Sequence, residues 1–319
     1  MPRILPRYAA LLSTLILFSN ASCTVPQTKR DANVTVAPGV VFARSGTPGD
    51  GFQTISLDLA RASVRPVVGA RNVAREKNNF VGDAFTVREW CERNGAIGGL
   101  NGGYFGVTYD EIGSRKQIVQ LAVVDGKVVA PGSDTPSSRT PGERYLRSAI
   151  GFHPDSTPEI VWATGTVKNV IRAYGSPTNP TDRKPWKGIR YAVACGPRLY
   201  ARGVRRITDR EERLVSPGGL IRAFVAYDTD ASGKPLHFVM GRADSADYGE
   251  VADFLKRFFA EKYRTVPREA MCLDGGSSGQ LVYKSGGTLV DAEPTGVRVP
   301  TAILLIPRSG TGDARSAVP

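Results

Sequence analysis

The sequence predicts an α+β (mixed α/β) fold: a large, mostly antiparallel sheet system with a few helices, in a single domain. Short apolar or alternating runs bounded by Gly, Pro, Asn and Asp recur along the chain. Residues 52–59 alternate at period two, and residues 191–195 and 270–273 are continuous apolar runs of the buried-strand type. Only two stretches carry a clear helical period. Asp125-Gly126, set between the runs 120–124 and 127–130, is a strong hairpin signal.

Taken in order, residues 1–22 read as a signal peptide. Arg3 and Arg7 precede an apolar run over 8–18 that is too short to span a bilayer, and small residues follow up to Cys23. The segment looks like a bacterial lipoprotein signal with Cys23 as the lipidated first mature residue, although Asn20 stands where such signals usually have Leu. Simple cleavage near 21–23, releasing a soluble exported protein, is the alternative. Either way the folded part is expected to be exported, and to be periplasmic or anchored to a membrane through Cys23. Residues 23–40 are expected to be a flexible tether, 41–307 the folded domain and 308–319 a disordered tail.

Within the domain, residues 64–68 read as a strand whose Pro66 marks an edge. Thr86 and Glu89 are spaced as a capping box for a short helix that Gly95 ends. Asp247 and Glu250 suit the N-cap and N3 of a longer helix to Tyr263, with Val251, Phe254, Leu255, Phe258 and Phe259 as its core stripe. Long loops are expected over 131–144 and 175–188.

The 319 residues carry a net charge of +12, which favours anionic partners. The charge is scattered and no helix-turn-helix or zinc-finger spacing occurs, so no nucleic-acid partner is expected. Beyond Cys23 lie Cys91, Cys195 and Cys272. A bridge between Cys195 and Cys272 and burial of both as small hydrophobes each fit their places at strand ends. No Cys or His spacing makes a transition-metal site, and there is no Walker A loop and no G-x-G-x-x-G.

The order helix, buried strand, Asx-Gly-Gly corner occurs twice, ending at Asn101-Gly102-Gly103 and at Asp274-Gly275-Gly276. Two such strands lying side by side would bring Asn101 and Asp274 together at one end of the sheet. Residues 275–279 formally fit G-x-S-x-G. A strand pattern follows them, however, and His153 and His237 both lie upstream, which argues against a nucleophile elbow. An acid at a strand end beside a glycine corner is a candidate catalytic or ligand-orienting group; an ordinary Asp-Gly turn is the alternative.

Four segments in fixed order, Leu100-Asn101-Gly102-Gly103-Tyr104-Phe105, Gly196-Pro197-Arg198-Leu199, Arg222-Ala223-Phe224-Val225 and Leu273-Asp274-Gly275-Gly276-Ser277-Ser278, resemble the phosphodiester glycosidase family. That family is related to the catalytic domain of N-acetylglucosamine-1-phosphodiester α-N-acetylglucosaminidase. Val297-Arg298-Val299-Pro300 looks like the family's closing segment, and the resemblance runs from about residue 50 to 307. It departs after Arg222, where the family usually continues Arg-Thr-Ala-Ile-Gly, and at the long loops.

The resemblance implies an exported hydrolase that cleaves the glycosidic bond of a sugar-1-phosphodiester and releases the sugar. Asp274 is the candidate catalytic carboxylate, with Asn101 and Glu250 beside it; Asn101 as a turn cap and Glu250 as a capping-box residue are the structural alternatives. Asp110 and Glu111 are further carboxylates to weigh. Arg222 first and Arg198 second are the candidate forks for the diester. Gly102, Gly103, Tyr104, Gly275, Gly276, Ser277 and Ser278 would line phosphate and sugar, Tyr104 by stacking on a sugar ring. The expected partner is a phosphorylated glycoconjugate or envelope polysaccharide. No cofactor is read, although carboxylates near glycine corners leave calcium or magnesium open. The alternative function is a non-catalytic envelope protein that binds anionic glycopolymers through the same cleft.

Overall fold

The computed structural model describes residues 33–47, 50–76, 79–132, 146–179, 181–214 and 218–308. The expected signal peptide, Cys23, nearly all of the 131–144 loop and all but Arg308 of the tail therefore lie outside the described residues. The strands form sheets of eight, seven, five and four, and every pairing between them is antiparallel. Among the described residues two α-helices complete the fold, α1 (Val87–Asn94) and α2 (Tyr248–Tyr263). The expected α+β class is what the structure shows.

The eight-stranded sheet runs Asn33–Ala37, Val40–Thr47, Asp50–Asp58, Pro235–Ala246, Leu220–Thr229, Glu269–Cys272, Arg198–Ala201, Val204–Arg205. Its first strand shortens the expected tether, because Asn33–Ala37 pairs with the next strand through Val34↔Phe42 and Thr35↔Val41. The period-two rule assigns the faces of its central strands. Met271 and Leu273 point into the largest core cluster with Val225 and Ile303, while Ala270 and Cys272 face α2 with Phe224 and Phe259. Buried on both sides, the strand Glu269–Cys272 reads in sequence as an unbroken run.

The five-stranded sheet holds Gly98–Asn101 between Leu281–Ser285 and Thr301–Pro307, with Val64–Ala70 and its Pro66 at the edge, as expected. The two corner strands thus belong to different sheets, contrary to the side-by-side expectation. What pairs with Gly98–Asn101 is the strand after the second corner, through Leu281↔Leu100.

Both capping boxes form. Thr86 caps α1 with Glu89, and Gly95 ends it at φ 61°. Asp247 caps α2 with Glu250. The loop expected over 175–188 contains a short edge strand, Arg183–Pro185, paired with Ile171–Tyr174.

Candidate active site

The two glycine corners meet. Asn101 is fully buried, and its amide donates to the Asp274 carbonyl at 2.7 Å and accepts from Gln280 N–H at 3.0 Å. Asp274 N–H in turn donates to Gly102 O at 3.1 Å. Gln280 extends the clamp, accepting from Val87 N–H at the start of α1 at 3.1 Å and donating to Val297 O at 2.7 Å. From behind, the buried Arg242 donates to Gly279 O at 3.1 Å. Every link spans residues remote in sequence, so the corner's shape is a tertiary product.

Within this frame the Asp274 carboxyl is half-buried. Burial raises its pKa to about 6; the Ser278 hydroxyl, the Gly275 N–H and the Lys116 ammonium pull the other way. Burial wins, because removing a carboxylate from water costs more than these partial compensations return. Around it, burial holds the phenol of Tyr104 well above its ordinary value, pushes Tyr248 to about 12 and drives the Cys195 thiol far up. These groups stay neutral at neutral pH. Asp274 alone among them titrates in a useful range.

The backbone of Arg222 lies across the strand pair from that of Asp274. The strand register pairs Phe224 with Cys272, Leu273 N–H donates to Ala223 O at 2.8 Å, and continuing that register sets Arg222 opposite Asp274. The Arg222 guanidinium is buried over the Tyr248 ring at 4.3 Å and donates to Ala246 O at 3.0 Å. Lys116, from the four-stranded sheet, supplies a second cation and is itself stabilised in its charged form by Asp274 and Asp110, although burial lowers its pKa overall.

A family model described as phosphodiester glycosidase matches residues 94–306, two thirds of the chain. This chain belongs to the phosphodiester glycosidase family. Solved structures share the fold at low identity. One is a hypothetical protein from Synechocystis, with a TM-score of 0.52 and 14% identity, aligned over 85% of this chain and 62% of that one. Another is a putative exported protein from Burkholderia pseudomallei, with a TM-score of 0.50 and 14% identity, aligned over 84% of this chain and 74% of that one. The chain spans less than two thirds of the Synechocystis protein's length. No curated protein matches.

In this member of the phosphodiester glycosidase family several sequence-derived assignments are redrawn. Asn101, expected to be catalytic, spends its amide on the corner's backbone and is a positioning residue. Glu250 is exposed and accepts from Asp247 N–H at 2.7 Å, so it is a helix cap. Arg198 is buried and paired with the Glu269 carboxylate, with further bonds to Tyr200 O and Ile160 O, which removes it from phosphate binding. Gly102 and Gly103 give their N–H groups to Thr301, at 2.9 Å each. They are glycines for lack of room: a Cβ on Gly103 would lie 2.2 Å from Ala194 O. Tyr104 anchors its hydroxyl on Gly196 O at 2.9 Å, which fixes its ring. Ser278 is buried and bonded to Asp274; Ser277 is exposed, and Gly276 at φ 59° has open space where a Cβ would be. Gly275 packs on Ile221 O. Asp110 is tied to Ser114, Glu111 is exposed, and Arg298 of the closing segment pairs with Glu89 at 2.9 Å.

The Gly196-Pro197-Arg198 motif also proves architectural. Glu212, fully buried, accepts from Ser148 N–H and hydroxyl, Thr208 hydroxyl, Trp162 indole and Arg198 N–H. Its carboxylate fills the space where a Cβ on Gly196 would sit. Cys91, Cys195 and Cys272 are free and buried, so the bridge does not form. Lys116, Tyr248 and Arg242 were not found by sequence reasoning, because ordinary strand and helix patterns hide residues that matter only through contacts with distant strands. Among the described residues no group of His, Cys, Asp or Glu could hold a metal ion.

Proposed function

We propose that this chain is an exported hydrolase that cleaves the glycosidic bond of a sugar-1-phosphodiester, with Asp274 as the catalytic carboxylate and Arg222 on the phosphate. The observation that carries the reading is the half-buried Asp274, with a pKa of about 6, on a clamped corner of a chain that belongs to the phosphodiester glycosidase family. At neutral pH such a carboxyl is mostly ionised. It can attack or electrostatically stabilise the developing cation at the anomeric carbon, or take a proton from attacking water. The C1–O bond breaks toward the phosphate, which leaves as a phosphomonoester and needs little protonation. Water supplies the new sugar hydroxyl. Arg222 and Lys116 offset the negative charge of the diester that would repel Asp274. The substrate class is a phosphorylated glycoconjugate or envelope polysaccharide, consistent with the export signal read at residues 1–22 and with the net charge of +12.

The test is release of free sugar from a panel of sugar-1-phosphodiesters. Asp274→Asn is expected to lower kcat by roughly 10^3-fold with the far-UV spectrum unchanged, while Glu250→Gln leaves turnover within twofold. Absence of release across the panel would sink the enzymatic reading in favour of a binder of anionic glycopolymers.

A further inference from the structure

A cavity of about 720 Å³ among the described residues does not include Asp274. It lies at the opposite end of the same strands. Glu269 lines it and Asp274 follows five residues later, roughly 15 Å along an extended chain. Four guanidiniums, those of Arg198, Arg202, Arg206 and Arg268, face two carboxylates, Glu159 and Glu269, in its walls. Arg198 is neutralised by Glu269 and Arg206 by Glu211 at 2.9 Å. Glu159 is engaged by the Trp186 indole at 2.7 Å and by His153. Arg202 and Arg268, both exposed, form no ion pair among the described residues, so the cavity keeps an uncompensated positive rim.

The backbone that presents this rim breaks a local rule. Arg202 and Gly203 form the two-residue turn between Arg198–Ala201 and Val204–Arg205, with φ of 53° and 82°. Asn or Gly is the low-strain choice at the first of these positions, and arginine there costs about 1 kcal/mol. Glu269 fixes the turn by accepting from Arg202 N–H at 3.0 Å, and Arg268 donates to Arg202 O at 3.3 Å. The buried carboxylate at the floor thus holds the backbone of Arg202, and the Arg268 side chain bonds to that same turn.

We infer that this cavity is a second, non-catalytic binding site for an anionic polysaccharide, read by Arg202 and Arg268. Guanidinium forks suit phosphate and carboxylate alike, so the two sources are separated by experiment. Binding of poly(glycerol phosphate), polygalacturonate and neutral dextran to the mature protein is measured by calorimetry at two salt concentrations. One or both charged polymers should bind saturably, with affinity falling as salt rises, while dextran does not bind; which polymer binds identifies phosphate or carboxylate. Arg202→Glu/Arg268→Glu should weaken that binding at least tenfold, with thermal midpoint and hydrolysis of a small sugar-1-phosphodiester unchanged. Lys256→Glu/Arg257→Glu, on the exposed face of α2, removes the same charge elsewhere and should reduce binding less than threefold. Failure of both charged polymers to bind, or an equal loss in the two double variants, would overturn the site. Neither result depends on whether Asp274 is catalytic.

Discussion

The corners at Asn101-Gly102-Gly103 and Asp274-Gly275-Gly276 share a sequence pattern and differ in what their atoms do. In the first, the side chain and both glycine N–H groups are consumed by the protein, and the glycines exist because Thr301 and Ala194 leave no room. In the second, the backbone is held by the first, Ser277 is exposed, and Gly276 faces open space. One corner is a scaffold and the other is the surface it presents. The lesson is energetic. A neutral amide can be buried at little cost once all its hydrogen bonds are made, whereas a carboxylate at half burial keeps a raised pKa and hence reactivity.

The sharpest way to break this comparison is Gly103→Ala. Its Cβ would meet backbone rather than a mobile side chain, so a loss of about 3 kcal/mol or more is expected in urea denaturation. A stable variant would mean that the scaffold corner can yield. Asn101→Ala strands the buried Asp274 carbonyl and Gln280 N–H and should cost about 2–4 kcal/mol, with lost activity following lost stability. Full stability with no turnover would instead make Asn101 catalytic.

The smallest effect concerns proton affinity at the second corner. Turnover that needs ionised Asp274 should rise with pH through about 6. The same shift bears on stability with the opposite sign. Folding raises this pKa, so the group favours the native state below the ordinary carboxylate value and loses that contribution as pH climbs through about 6. Ser278→Ala removes a bond to the carboxylate and should move the activity limb upward, by about 1 pH unit or less. A limb that stays put would detach the pH profile from Asp274.

Both helices were legible in the sequence, caps included, because a capping box and a 3.6-residue stripe are local signals. Most strands were legible too, and the Asp125-Gly126 turn appears with φ of 52° and 76°. The pairing of the corner strands was not. Sequence order says nothing about which sheet a buried strand joins, and Glu269–Cys272 and Gly98–Asn101 look alike as apolar runs. Arg198 shows the same limit: an arginine in a family motif reads as a phosphate ligand until a distant Glu269 is seen to claim it. Lys116 carried no signal of its own, since it matters only through a charge interaction with Asp274 that the fold creates between two sheets.

By itself, then, the sequence determined the α+β class, the helices and their ends, the family, and Asp274 as the residue to watch, all properties of local pattern or of motifs in order. Only the tertiary structure decided which of the motif residues face outward. It spent Asn101, Gly102, Gly103 and Arg198 on holding the fold and left Asp274 between water and protein. The reason is that hydrogen bonding and desolvation depend on neighbours brought from far along the chain, 179 residues away for Asn101 and Gln280, and these neighbours, not the motif, set the charge and proton affinity of a side chain.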